Sequence, residues 1–195
     1  FYAAHTLAEL AALWDGIRRT QGFDREALTM AFSAILVKCS HQQGHTSGDT
    51  QPQRLPPGAP LRLWRHRVDG LCRGLAALNR SGRVGAAQVE ETNSLARCAE
   101  PALRQRFDLV LTSPPYGGLY DYATQHQRSV RWLGLDDTRF IDEEFASRRT
   151  MRDAPPKAWR ESVAKLLRTL RPTLRDAESS IIFCIGDAWL GSGRV

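Results

Sequence analysis

The chain has 195 residues, of which 42% are hydrophobic and 25% charged, an ordinary composition for a single globular domain. No apolar run approaches the roughly 18 residues that a membrane-spanning helix needs, and the first residues lack a signal-peptide pattern, so we expect a cytoplasmic protein. Lys and Arg number 27 against 21 Asp and Glu, a net charge of +6 that favours a polyanionic partner such as nucleic acid.

The four cysteines do not form a recognisable ligand or disulfide pattern. Cys39, Cys72, Cys98 and Cys184 are widely scattered, without a CxxC pair or a histidine at zinc-ligand spacing. We therefore predict buried, reduced thiols and no metal site.

Two helices are predicted in the first 38 residues. Apolar side chains recur at helical spacing from His5 to Arg19, and Thr6 and Glu9 have the spacing of a capping box. A second apolar helix is predicted from about Asp24 to Lys38, with Asp24 as its cap. The polar, Gly- and Pro-rich stretch that follows predicts a mobile loop at about 40–60.

A third helix, from Leu61 to about Leu78, is predicted to carry a basic face. Its apolar positions recur at helical spacing, while Arg62, Arg65, Arg67 and Arg73 lie largely on the other side. Such a face is either simply solvated or contacts phosphates of DNA, and the pattern alone leaves both interpretations open.

The second half of the chain alternates strands and helices. Short strands are predicted around Ala86–Glu90, at Phe107–Leu111 and at Ser180–Ile185, and helices at about 124–132 and 158–170. This alternation indicates an α/β fold with a sheet that is at least partly parallel. Ligands of such sheets bind beyond the carboxyl ends of the strands, where Asn93 and Ser113 are expected.

Ser113, Pro114 and Pro115 directly follow the strand at 107–111. Prolines fix φ and lack an N–H, so this stiff segment presents acceptors, the Ser113 hydroxyl and the Pro114 carbonyl, to an incoming donor. The exocyclic amino group of a nucleobase is such a donor. Two acceptors on its hydrogens favour tetrahedral nitrogen and localise the lone pair for attack on a methyl group.

The stretch "DLVLTSPPYGGLYDY" resembles the catalytic motif of amino-methylating DNA methyltransferases, Asp/Asn/Ser-Pro-Pro-Tyr/Phe/Trp. The resemblance extends through "WLGLD", "LLRTLRP" and "IGDAWLGSG". It implies a Rossmann-like methyltransferase fold forming one partial domain over residues 1–195, S-adenosyl-L-methionine as cofactor, and a restriction-modification or related defence role. The Ser form is most similar to enzymes that methylate cytosine N4, whereas Asp or Asn more often accompanies adenine N6.

The resemblance also assigns roles to residues. Ser113 and Pro114 are expected to hold the target amino group, Pro115 to keep the segment rigid, and Tyr116 to stack on a base flipped out of double-stranded DNA. Asn93 is expected to contact the cofactor adenine, and Thr112 to lie near the cofactor's amino-acid part. Independently of the resemblance, the basic face of the third helix is expected to contact the DNA backbone through Arg62, Arg65 and Arg73.

The main cofactor motif of the family is not evident. "DAWLGSG", Asp187 to Gly193, is similar to it, but it resembles more closely a late strand followed by a Gly-rich turn. On that interpretation the motif lies upstream of Phe1, the chain is a piece of a longer protein, and the piece alone is inactive. Methylation of RNA or of a protein amide, and a non-catalytic nucleic-acid-binding role, remain alternatives.

Overall fold

We describe the chain from a computed structural model, over residues 1–41, 54–82, 85–114, 122–144, 156–185, 189–190 and 193–194. The helices in these ranges are α1 (Ala4–Arg18), α2 (Gly22–Cys39), α3 (Ala59–Arg80), α4 (Ser94–Cys98), α5 (Tyr122–Leu133), α6 (Thr138–Glu143) and α7 (Pro156–Leu170). The strands are β1 (Leu109–Thr112), β2 (Ser180–Phe183), β3 (Trp189–Leu190) and β4 (Gly193–Arg194). None of the described helices has the length and apolar character needed to cross a membrane.

The chain divides into two compact units. The first consists of Phe1–Ala87 and Gln127–Leu135, and the second of Gln88–His126 and Asp136–Val195. The first unit is helical, whereas the second contains the strands and the predicted catalytic motif.

The core of the first unit forms around Phe32 of α2. This side chain is fully buried, stacks on Trp14 with ring centroids 5.2 Å apart, and meets Trp132 of α5 edge-on at 5.5 Å. The other buried members of the cluster are Leu10, Ile17, Ile35, Leu36 and Cys39. Burial raises the pKa of the Cys39 thiol to about 11. The helical spacing of apolar residues in α1 and α2 thus produces one continuous core.

The predicted helices are all present, but their predicted caps were wrong and α6 was not predicted. The residue before α1 is Ala3, and the Thr6 and Glu9 of the predicted capping box lie inside that helix. Glu9 instead accepts the backbone N–H of Gly58 with both carboxylate oxygens, at 2.9 and 3.0 Å. Asp24 lies in the first turn of α2 rather than at its cap, a position where a negative charge is still favourable.

The predicted loop at about 40–60 lies mainly outside the described residues. Its described end, from residue 54 to Gly58, leads directly into α3, which begins at Ala59. Gly58 has φ +75°, a left-handed conformation that favours glycine over residues with a Cβ. The prediction of buried cysteines holds for Cys39, but it was wrong for Cys72 and Cys184, which are exposed and, like the other two, not in a disulfide.

The second unit contains a parallel strand pair. Strand β1 pairs with β2, Leu109 opposite Ser180 and Thr112 opposite Phe183, so the predicted parallel direction is confirmed for these two strands. Alternate residues on one face of the pair are exposed, and Leu111 retains 68% of its accessible surface. The complete Rossmann-like methyltransferase fold stays a prediction.

The predicted strand at Ala86–Glu90 was wrong. The described residues 85–93 form no strand, and Val89 is 95% exposed. Glu90 is held instead by an ion pair in which Arg97 donates from Nε, at 2.6 Å, and from a terminal nitrogen, at 3.1 Å. A short apolar run forms a strand only where a neighbouring strand accepts its backbone hydrogen bonds, and in the described structure this run has none.

Candidate functional site

The predicted catalytic segment begins where β1 ends. The Thr112 carbonyl accepts the Cys184 N–H at 2.9 Å, which extends the pairing of β1 and β2 by one step. Beyond it, the Ser113 hydroxyl donates to the Cys184 carbonyl at 3.1 Å. Ser113 is exposed and Pro114 is buried. The start of the motif is therefore fixed at the carboxyl edge of a parallel strand pair, the edge at which ligands of such sheets bind.

The hydrogen bond to Cys184 determines which chemistry the Ser113 hydroxyl can perform. A hydroxyl that donates its proton to a carbonyl acts as an acceptor towards any other donor. The adjacent Pro114 has no N–H, so its peptide group adds an acceptor and no donor at this place. Both groups therefore suit a ligand that donates hydrogen bonds, such as an amino group.

The helix that follows the motif in the described residues is α5, which begins at Tyr122. The Glu144 carboxylate accepts the Tyr122 N–H at 2.8 Å and lies 3.4 Å from the Ala123 nitrogen, so it caps this helix. Pro115 and Tyr116 lie outside the described residues, and their predicted roles in rigidity and stacking stay predictions. Glu144 thus fixes the start of α5.

Asn93, the predicted adenine contact, is the N-cap of α4. Its side-chain oxygen accepts the N–H groups of Leu95 and Ala96, both at 3.1 Å, and its nitrogen donates to Glu143 at 2.8 Å. This hydrogen bond, supported by Arg139, lowers the pKa of the Glu143 carboxyl. Contact with an adenine requires release of at least one of these bonds. Asn93 therefore has a structural role that competes with the predicted adenine contact, and that contact stays a prediction.

The described residues fit S-adenosylmethionine only in part. Thr112, the second predicted cofactor contact, is half-buried at the end of β1, and its carbonyl is engaged in the strand pairing. The Asn93 amide is engaged in capping, as described above. Within the described ranges both predicted cofactor residues thus have structural roles, and binding of S-adenosylmethionine stays a prediction. No group of His, Cys, Asp or Glu in these ranges is placed to hold a metal ion.

The predicted DNA-binding arginines lie on α3 in the first unit. Arg62, Arg65 and Arg73 are all exposed, and at 100° per residue they fall within an arc of about 80°. Arg62 donates to the Pro57 carbonyl at 3.2 Å. Among the residues that the structure describes, no carboxylate forms an ion pair with these three guanidiniums, so their charges remain available for an anionic partner.

Three residues that support these sites were not predicted from the sequence. Cys184 provides the carbonyl for Ser113, Glu144 caps the helix after the motif, and Arg80 continues the basic face of α3. Helical spacing could have identified Arg80, which lies 18 positions after Arg62 and so on the same side of the helix. Nothing in the local sequence identifies the other two, because both act on residues distant along the chain.

The chain was compared with known proteins in three ways. Searches against protein-family models, curated proteins and solved structures give no match for it. The functional interpretation therefore depends on the residues and geometry of the chain itself.

Proposed function

We propose that this chain carries the catalytic segment of an S-adenosylmethionine-dependent DNA methyltransferase that acts on the exocyclic N4 amino group of cytosine. One observation carries the proposal: Ser113 and Pro114 directly follow β1 at the carboxyl edge of a parallel strand pair, and the Ser113 hydroxyl is held by the Cys184 carbonyl. The proposed place of action is the cytoplasm, on DNA of the nucleoid.

The role of the segment is to orient an amino group. The Ser113 oxygen and the Pro114 carbonyl accept its two hydrogens, which favours tetrahedral nitrogen and directs the lone pair outward. S-adenosylmethionine, when bound, supplies an electrophilic methyl group. The burial of Pro114 and the anchoring of Ser113 reduce the freedom of both acceptors before substrate binds, and such positioning accounts for much of the rate of a bimolecular reaction.

Replacement of Ser113 tests this role in the complete protein. We expect Ser113→Ala to lower the rate of labelled methyl transfer from S-adenosylmethionine to duplex DNA by about 10²–10³-fold, the usual effect of removing one preorganised hydrogen-bond partner. DNA affinity should change far less, because the hydrogen bond that the variant removes strengthens as the nitrogen becomes tetrahedral.

Ser81→Ala is the matched control for this experiment. The Ser81 hydroxyl is also exposed and also donates to a backbone carbonyl, that of Leu78 at 2.6 Å, but it ends α3. We expect this variant to retain full activity. Equal losses of affinity and turnover in Ser113→Ala would contradict the proposed role. If the product is N6-methyladenine, the target base is adenine and not cytosine.

The basic face of α3 is proposed to contact DNA phosphates. We expect the double variant Arg65→Gln, Arg73→Gln to reduce the slope of log affinity against log salt by about one unit for each phosphate that is no longer neutralised. Arg18→Gln is the control, since Arg18 is exposed in the same unit but paired with Asp15 at 2.6 Å. An unchanged slope in the double variant would leave this face with no role beyond solvation.

A further inference from the structure

Arg128, on α5 in the first unit, is a buried cation without a counter-ion. Only 8% of its surface is exposed, yet no carboxylate pairs with it in the described parts of the chain. Its Nε–H is fully buried and has no hydrogen-bond partner there. A buried charge left without a partner is costly, so a group of opposite charge at this position would be strongly favoured.

A second buried polar atom beside Arg128 also lacks a hydrogen-bond partner. The Tyr2 hydroxyl is buried, and its hydrogen meets no acceptor among the described residues. The neighbouring Trp132 indole carries only an N–H donor, so it cannot accept that hydrogen. Burial raises the pKa of this hydroxyl, so it remains a neutral donor at physiological pH. Two buried donors that lack acceptors therefore lie together in this part of the first unit.

A second positive charge increases the local potential. The guanidinium carbons of Arg128 and Arg131 lie 5.0 and 5.3 Å from the centroid of the Phe1 ring. Burial lowers the pKa of Arg128, and the charge of Arg131 lowers it further, which is the sign of mutual repulsion. The aromatic ring offsets part of this repulsion by cation–π attraction, but the Arg128 Nε–H still has no hydrogen-bond partner in the described residues.

We propose that Arg128, with Arg131 and the Tyr2 hydroxyl, forms a binding site for a phosphate-type oxyanion. An oxyanion with several oxygens accepts from the Nε–H and from the hydroxyl, and it neutralises the two adjacent guanidiniums. Phosphate fits better than a single carboxylate, because two positive charges and two unsatisfied donors meet at one place. The site lies in the first unit and is independent of the proposed methyltransferase activity.

The test observes the Arg128 Nε–H directly in the full chain. In ¹H–¹⁵N spectra we expect inorganic phosphate, added against chloride at constant ionic strength, to shift this resonance downfield and saturably. Phosphate should also raise the Tm. A short oligonucleotide offers the same chemistry as a phosphodiester. A response to free phosphate alone indicates a small-anion site, and a response to both indicates that nucleic acid is a source of the anion.

Variants separate a binding role from a packing role. We expect Arg128→Met to abolish the phosphate-dependent rise in Tm while leaving the Tm in chloride equal or higher, because the variant removes an unpaired buried charge. Arg131→Gln, at an exposed position, should raise the phosphate Kd several-fold, and Arg18→Gln on α1, whose guanidinium is paired with Asp15, should change nothing. An Arg128 resonance unmoved by saturating phosphate, or a phosphate response that persists in Arg128→Met, would overturn the proposal.

Discussion

Replacement of Phe32 by alanine should remove the central side chain of the first unit's core. Phe32 is fully buried and packs against both Trp14 and Trp132. Phe→Ala changes in cores cost about 3–5 kcal/mol, and we expect the upper half of that range, because each aromatic pair adds roughly 0.5–1.5 kcal/mol beyond its buried area. Since whole domains are stable by only about 5–15 kcal/mol, this loss would remove much of the stability of the unit.

Phe23→Ala is the matched control on the same helix. Phe23 is 66% exposed, so its truncation should change the free energy of unfolding by no more than about 0.5–1 kcal/mol. Equilibrium urea unfolding followed by tryptophan fluorescence measures both changes, since two tryptophans contact Phe32. With an m-value of about 2 kcal/mol/M, Phe32→Ala should lower the urea midpoint by roughly 2 M. Similar urea midpoints for Phe32→Ala and Phe23→Ala would show that Phe32 does not lie at the centre of the core.

Two further predictions concern single backbone and side-chain positions. Gly58→Ala should destabilise the first unit by about 1–2 kcal/mol in thermal or urea unfolding, because φ is +75° there, whereas no loss would mean that the left-handed turn is not required. Asn93→Ala should cost about 1 kcal/mol through loss of the α4 cap and should raise the pKa of Glu143 toward its usual value, as read by NMR titration. Because the folded pKa of Glu143 is depressed, its contribution to stability is present above the unfolded pKa and is lost as pH falls through the folded one. The variant should lose the part of this acid-range dependence that the Asn93 hydrogen bond produces, while the part due to Arg139 remains. Asn93→Asp should keep the cap but lose the donor, and an unchanged Glu143 pKa in either variant would contradict the hydrogen bond.

The long helices could be predicted from the sequence because their signal is repeated over several turns. Apolar spacing identified α1, α2 and α3, and the exposed arginines of α3 followed from the same period. Caps were less predictable, since any nearby polar side chain competes for the same backbone groups. Glu9, which had the spacing of a cap residue, contacts Gly58 instead.

The features that could not be predicted depend on contacts between residues that are distant in the sequence. A strand at Ala86–Glu90 depended on a neighbour that the sequence could not identify, and the segment remains irregular. At the candidate site, local sequence placed Ser113 and Pro114 after a strand, but not the Cys184 carbonyl that anchors the hydroxyl. The burial of Arg128 could not be predicted either, because it results from the packing of α5 against residues at the start of the chain in the first unit.

The parallel pairing of β1 with β2 also has a consequence for synthesis of the chain. Its two partners are far apart in sequence, as the 71 positions between Ser113 and Cys184 illustrate. At a translation rate of about 5–20 residues per second, β1 leaves the ribosome roughly 4–14 s before β2 does. During that interval the backbone N–H and C=O groups of β1 that later pair with β2 have no partner strand, a state that favours chaperone binding or misassociation. Slower elongation between these strands would therefore lower the yield of folded protein, and fusion of a rapidly folding domain after Val195 would not restore it.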